Sequence, residues 1–217
     1  MKGNIIFLKG KNAAGNLVFY TRAGEQIARA RPEFVNDPKT ANQTLARKRM
    51  AFISTMAKGL DIALDLGFAD KVDGLHSSRN FFVKANYSKM TGTAEAIEID
   101  YETLQLTSAN TDVEVVALGE LDTSVPLTLS VLTDDGYSGS PTAKATDKGM
   151  IVVYSKTAHR AMTAEINNVR TEDTSWSVRV PGNWQGHFVE VYAFVFRGEG
   201  KDAIASETLY VGSGRVA

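Results

Sequence analysis

Val189-Glu190-Val191-Tyr192-Ala193-Phe194-Val195-Phe196 is the stretch of this chain whose reading decides the fold. Successive side chains of an extended chain point to opposite sides. Val189, Val191, Ala193 and Val195 therefore share one face, and the other face is largely aromatic. A strand that is apolar on both sides is a central one, covered on both faces.

Working outward, Pro181-Gly182-Asn183 precedes this strand and Arg197-Gly198-Glu199-Gly200 follows it, and both carry turn chemistry. The same alternation of short apolar runs and turn residues extends back to residue 96. It predicts strands at 96–106, 113–118, 127–133, 149–154, 163–167, 175–180, 188–197 and 205–211, with Asp134-Asp135-Gly136 and Asp147-Lys148-Gly149 among the turns. Seven or eight short strands with no helix between them point to an immunoglobulin- or fibronectin-like β-sandwich. Gly212-Ser213-Gly214, after the last of them, reads as a flexible tail.

The N-terminal part has a different period. Residues 5–8 are a candidate strand, and 16–22 and 26–31 flank a turn at Ala23-Gly24-Glu25, where Gly24 can supply a positive φ. Pro32 and Asn36-Asp37-Pro38 then turn the chain into its longest helical pattern. Thr40 and Gln43 fit a capping box, and Leu45, Phe52, Ile53, Met56, Leu60 and Leu64 form one apolar stripe. The spacing predicts a helix over 41–66, with a break near Gly59 as an alternative, and a second helix from Ser77 or Ser78 through Met90. The predicted class is α+β: an N-terminal β-hairpin with long helices, then the sandwich. The expected division is a basic hairpin-plus-helix module at 1–92 and a sandwich domain at 93–217.

A net charge of -1 over 217 residues conceals a strong asymmetry. Residues 1–60 hold 11 Lys or Arg against 3 Asp or Glu, whereas residues 61–217 hold 13 against 22. A bipolar chain of this kind can meet an acidic surface, a phosphate backbone, or its own other end. The candidate groups for a nucleic-acid or partner contact are Arg22, Arg29, Arg31, Lys39, Arg47, Lys48, Arg49 and Lys58. Arg47 and Lys58 are about three turns apart on one helix and so face the same side. Phe19 and Tyr20 lie close enough in sequence to stack on a base. For the joint formed by Pro38, Thr40, Gln43 and Arg47, a rigid hairpin-to-helix connection is the favoured reading.

The chemistry of a typical enzyme site is not written here. There is no cysteine, so thiolate nucleophiles, thiolate metal ligands and disulfides are excluded together. His76, His159 and His187 show no metal-ligand spacing, and neither a phosphate loop nor a nucleophile elbow occurs. No enzyme activity, metal or cofactor is expected. No signal peptide or membrane span is expected either, which favours a cytoplasmic protein or one assembled into a virion or particle. Trp176, Trp184 and Tyr192 are aromatic candidates for a carbohydrate- or peptide-binding sandwich. Trp184, in Pro181-Gly182-Asn183-Trp184-Gln185-Gly186, is the candidate ligand-binding residue, being the one of the three expected to be exposed, although a buried loop anchor is the favoured reading.

Several segments together carry a family resemblance: residues 15–20, Ile27-Ala28-Arg29-Ala30-Arg31-Pro32, Asn36-Asp37-Pro38-Lys39-Thr40-Ala41-Asn42-Gln43, Ala46-Arg47, Gly67-Phe68, Ile99-Asp100-Tyr101, Ala145-Thr146-Asp147, Val152-Val153-Tyr154 and residues 206–212. In them the chain resembles a widespread family of uncharacterised Bacteroidetes proteins. The resemblance implies a helical N-terminal portion ahead of an immunoglobulin-like β domain and assigns no catalytic residue. The leading expectation is a non-catalytic structural or interaction protein, a phage-derived or surface-assembly component, with another protein or a second copy as partner. Nucleic-acid binding and carbohydrate or peptide binding are the alternatives.

Overall fold

The computed structural model describes residues 13–14, 17–22, 24–30, 37–133, 142–167, 169–170 and 175–217. Arg31, the candidate strand at 5–8, the turn at 134–136 and most of the 31–38 connection lie outside these residues. The chain forms two compact units, Met1–Thr40 and Ala41–Ala217.

The first unit contains an antiparallel meander of β1 (Ala13–Ala14), β2 (Leu17–Arg22) and β3 (Glu25–Ala30). The hairpin closes at Gly24, whose φ of +82° is the left-handed conformation that the sequence assigned to it. Leu17 opposes Ala30 and Arg22 opposes Glu25, so Val18, Tyr20 and Arg22 share a face with Ile27 and Arg29.

The second unit has three layers. Its helices are α1 (Ala41–Gly59), α2 (Asp61–Gly67) and α3 (Ser78–Asn86). A two-stranded ribbon follows, β4 (Met90–Gly92) paired with β5 (Ile97–Ile99). One sheet is built from β6 (Leu118–Asp122), β7 (Thr128–Thr133) and β10 (Ser175–Arg179), in the order β10-β7-β6. The other contains β8 (Lys148–Ser155), β9 (Arg160–Ile166), β11 (Phe188–Arg197), β12 (Ile204–Ala205) and β13 (Leu209–Arg215). Its order is β9-β8-β11, with β12 and β13 both pairing with the free edge of β11. All of these pairings are antiparallel.

β11 has the two faces its sequence predicts. Val189, Val191, Ala193 and Val195 join Leu129, Val131, Trp176 and Val178 in the core between the sheets. Tyr192, Phe194 and Phe196 join Ile53, Met56, Leu60, Leu64 and Phe82 in a second core under the helices. The helices thus cover the outer face of the central sheet. They share a core with it in the unit that begins at Ala41, where the sequence suggested a boundary at 92/93. An N-terminal hairpin, long helices and a β-sandwich are all present, as expected.

The helical stripe is interrupted at the anticipated place. A Cβ on Gly59 would stand 2.5 Å from the His159 carbonyl oxygen, so the end of α1 passes too close to the β8–β9 turn for any larger residue. The backbone tightens there, Leu60 N–H donating to the Ala57 carbonyl, and α2 restarts at Asp61. The second helix is shorter than predicted. It ends at Asn86 and is followed by one 3-10 turn, Tyr87–Lys89, before β4 begins at Met90.

Two expected strands are largely absent, for identifiable reasons. Only Ile97–Ile99 of the 96–106 stretch pairs as a strand. Farther along, the fully buried Asn86 amide takes the place of a neighbouring strand, donating to the Gln105 carbonyl at 2.8 Å and accepting from its N–H at 2.8 Å. In 113–118 the inward residues are Val113 and Val116, three apart rather than two, and pairing starts only at Leu118. Conversely, Gly212-Ser213-Gly214 is no loose tail. These residues oppose Val191, Glu190 and Val189 within β13, next to an irregularity in register at Val191/Tyr192.

Gly149 on β8 is fixed by a close approach of another kind. A Cβ there would lie 2.4 Å from the Trp176 ring, which is itself 1% exposed in the inter-sheet core. Gly149→Ala is expected to lower stability by about 1–3 kcal/mol, the usual cost of overpacking. Urea unfolding checks it, and an unchanged midpoint would show that the ring relocates freely.

Candidate functional site

The basic residues singled out in the sequence are divided between the two units. Arg22 and Arg29 are exposed on the same face of the hairpin, with the Arg29 guanidinium 6.0 Å from the centre of the Tyr20 ring. That distance permits a cation–π contact. Lys39 is exposed and holds a left-handed backbone at φ +48°. Arg47, Lys48 and Lys58 are exposed on α1. Arg49 is half-buried, and its Nη2 donates to the Gly92 carbonyl at 3.4 Å. Two residues along a helix is a rotation of about 200°, so Arg49 points away from the side shared by Arg47 and Lys58. α1 contains no acidic residue at all. Its exposed charges, Arg47, Lys48 and Lys58, are all basic, set among neutral residues such as Gln43, Met50, Ser54 and Thr55.

The aromatic candidates are all inside. Trp176 and Tyr192 are 1% and 0% exposed, and Trp184 is 3% exposed, stacked on His187 at 6.2 Å within the inter-sheet core. Trp184 anchors the loop before β11 and presents no face to a ligand. Among the described residues no group of three or more His, Asp or Glu is placed to hold a metal ion. No helix there is long and apolar enough to cross a membrane.

Two polar clusters that the sequence reading missed are built into the sheet. The first centres on Asp147, read from sequence as part of a turn. It does close one, its N–H donating to the Lys144 carbonyl at 3.0 Å, but its carboxylate is fully buried. Arg170 donates to Oδ2 through Nε at 2.9 Å and Nη2 at 2.7 Å, and Arg197 donates to Oδ1 at 2.6 Å. Arg170 Nη2 also donates to the Glu114 carbonyl, and Arg197 Nη1 and Nη2 donate to the Asp112 and Thr142 carbonyls. Burial pushes the Asp147 carboxyl upward, but hydrogen bonds from Arg197, the Lys144 N–H and Arg170 outweigh it and hold the group below its ordinary value. This network ties three loops to the ends of β8 and β11. An open groove of about 510 Å³ beside it is lined by Asn110, Val113, Glu114, Thr142 and Glu207 among others.

The second cluster centres on Glu190, the one acidic residue of β11, 3% exposed on the aromatic face. Lys156 Nζ lies 2.5 Å from Oε1, and the Tyr210 hydroxyl donates to Oε2 at 2.7 Å. The same ammonium sits 4.6 Å from the centre of the Tyr101 ring and 4.5 Å from that of Phe188. The Tyr192 hydroxyl donates to the Tyr101 backbone carbonyl at 2.9 Å, anchoring the chain there, and the Tyr101 ring stacks on Tyr154 at 6.4 Å. Burial and the nearby Glu190 charge push the Tyr101 phenol up to about 12, so it stays neutral across the physiological range. A buried Glu in an otherwise apolar strand was the one legible signal of this cluster.

Neither a curated protein nor a solved structure matches the chain. One family model does, over residues 9–212, and so covers the hairpin, the helices and almost the whole sandwich. The chain belongs to that family, DUF6266, a family of unknown function.

Proposed function

We propose that the chain is a non-catalytic structural protein that self-associates through its N-terminal hairpin. One observation carries this reading. Among residues 17–22, 24–30 and 37–40 none is buried, although β2 and β3 put Val18, Tyr20 and Ile27 on one face, with Tyr20 42% exposed, and Leu17 on the other, 44% exposed. A small sheet without a buried face is marginal by itself in water and gains stability from a surface to pack on. Charge favours a second copy as that surface. Met1–Thr40 carries seven Lys or Arg and three Asp or Glu, and Ala41–Ala217 carries 17 and 22. Opposite net charges steer the hairpin of one molecule toward the body of another.

The antiparallel order of the two facing sheets supports an immunoglobulin- or fibronectin-like reading of the sandwich. A virion or surface particle is the setting that a self-assembling, cysteine-free sandwich suits.

A second reading, nucleic-acid binding, rests on the acid-free α1 with Lys48 and Lys58 exposed on it. Light scattering at about 0.1 M and 1 M salt, with and without a mixed DNA and RNA pool, separates the two. Self-association that ignores nucleic acid supports the assembly reading. A monomer that co-elutes with nucleic acid at low salt and releases it at high salt replaces that reading with the second.

A further inference from the structure

The Glu190 cluster has the composition of a cation receptor, and its cation comes from the chain itself. Lys156 is the first residue after β8, in the turn leading to β9, and its side chain is one-third exposed. It reaches over the edge of the sheet and places its ammonium between two aromatic rings, 4.6 Å and 4.5 Å from their centres, against a carboxylate that is 4% exposed. Two ring faces and a desolvated carboxylate around one ammonium group are what recognition of alkylated ammonium ions requires. The walls do not depend on Lys156 for their position. Glu190 and Phe188 lie on β11, Tyr101 is held by the Tyr192 hydroxyl, and Tyr210 holds the second carboxylate oxygen from β13. Lys156 is the one component on a long, flexible stem. Phe188, 40% exposed, leaves the site open on one side.

We propose that Tyr101, Phe188 and Glu190 form a binding site for a small alkylammonium ion, occupied in the resting protein by Lys156 as an intramolecular ligand. An external ammonium ion enters by displacing the Lys156 side chain into solvent. The tethered lysine is present at high effective concentration and therefore keeps weak ligands out. The inference stands on the sheet and is independent of what the hairpin does.

Lys156→Ala removes the resident cation and leaves a gap the length of a propylammonium ion. Thermal unfolding of this variant is to be followed in n-propylammonium chloride and in sodium chloride at equal ionic strength. At a concentration about tenfold above the dissociation constant, propylammonium is expected to raise Tm by roughly 3–6 °C over sodium chloride. Wild type, and Lys156→Met in which an apolar stem refills the gap, should show no such difference. The rise should also vanish in Lys156→Ala/Glu190→Gln, where the carboxylate charge is gone. If Lys156→Ala is unfolded in sodium chloride, the same comparison is read as recovery of near-UV circular dichroism on adding propylammonium. Equal behaviour in the two salts, or a rise that survives Glu190→Gln, overturns the proposal.

Discussion

Asp147→Asn is expected to lower stability by about 3–5 kcal/mol, because it removes the charge that compensates two buried guanidinium groups. The desolvation of Arg170 and Arg197 is already offset by Asp147, and taking away one partner of a buried ion pair leaves that cost standing. Arg170 and Arg197 are 7% and 14% exposed, so water cannot readily replace the lost partner. Chemical denaturation measures the loss. A change below about 1 kcal/mol would mean that the loops open and hydrate both guanidinium groups at little cost.

The same carboxylate gives a pH dependence of defined sign. Its folded-state pKa lies below the unfolded one, so its contribution is complete above the ordinary carboxylate value of about 3.9 and is lost as pH falls through the depressed one. Wild type should therefore lose stability more steeply on acidification than Asp147→Asn does. Parallel acid profiles of the two proteins would place the relevant carboxylates elsewhere.

Phe194→Ala is the second substitution with a large expected effect, again about 3–5 kcal/mol. Phe194 is 0% exposed, on the face of β11 that packs under the helices. Truncation leaves a cavity between two layers rather than within one. Hydrogen exchange should accordingly show lost protection in α1 and α2 as well as in β8 and β11. If the helices kept their protection while the sheet lost its own, the two layers would be energetically separate, with a boundary near the 92/93 position that the sequence pattern suggested.

How much of this was legible beforehand follows from the physics of each element. The two-faced β11 was legible because burial on both sides leaves no polar periodicity except at Glu190. The strands β7 to β10 were legible because turn residues punctuate them, whereas the single strand expected at 205–211 is divided between β12 and β13, which continues through residues 212–215. The helices were visible as a stripe, but a stripe says that a helix is covered and not by what. Hence the apolar face of α1 pointed to a separate N-terminal module, when in the fold it covers the aromatic face of β11. The segment 100–117 misled because apolar residues such as Leu104, Leu106, Val113 and Val116 are buried there without a strand partner. Side chains such as Asn86 and Thr208 satisfy part of its backbone instead.

The polar clusters were the hardest to foresee. Asp147, Arg170 and Arg197 are 23 and 50 residues from one another's partner, and a single buried Asp beside a turn looks the same in sequence as a solvated one. The eight basic candidates share charge and proximity in sequence, which do not specify a common surface. Helical rotation then separates Arg49 from Arg47 and Lys58, and Arg31 lies outside the described residues.

The most direct measurement of the central claim is the mass in solution of the full chain compared with a chain shortened to Ala41–Ala217, by sedimentation velocity over a range of concentrations at about 0.1 M salt. Self-association through the hairpin predicts that the full chain gains mass with concentration while the shortened one, still folded by circular dichroism, stays monomeric. A full chain that remains monomeric throughout, or a shortened chain that associates equally well, would contradict it.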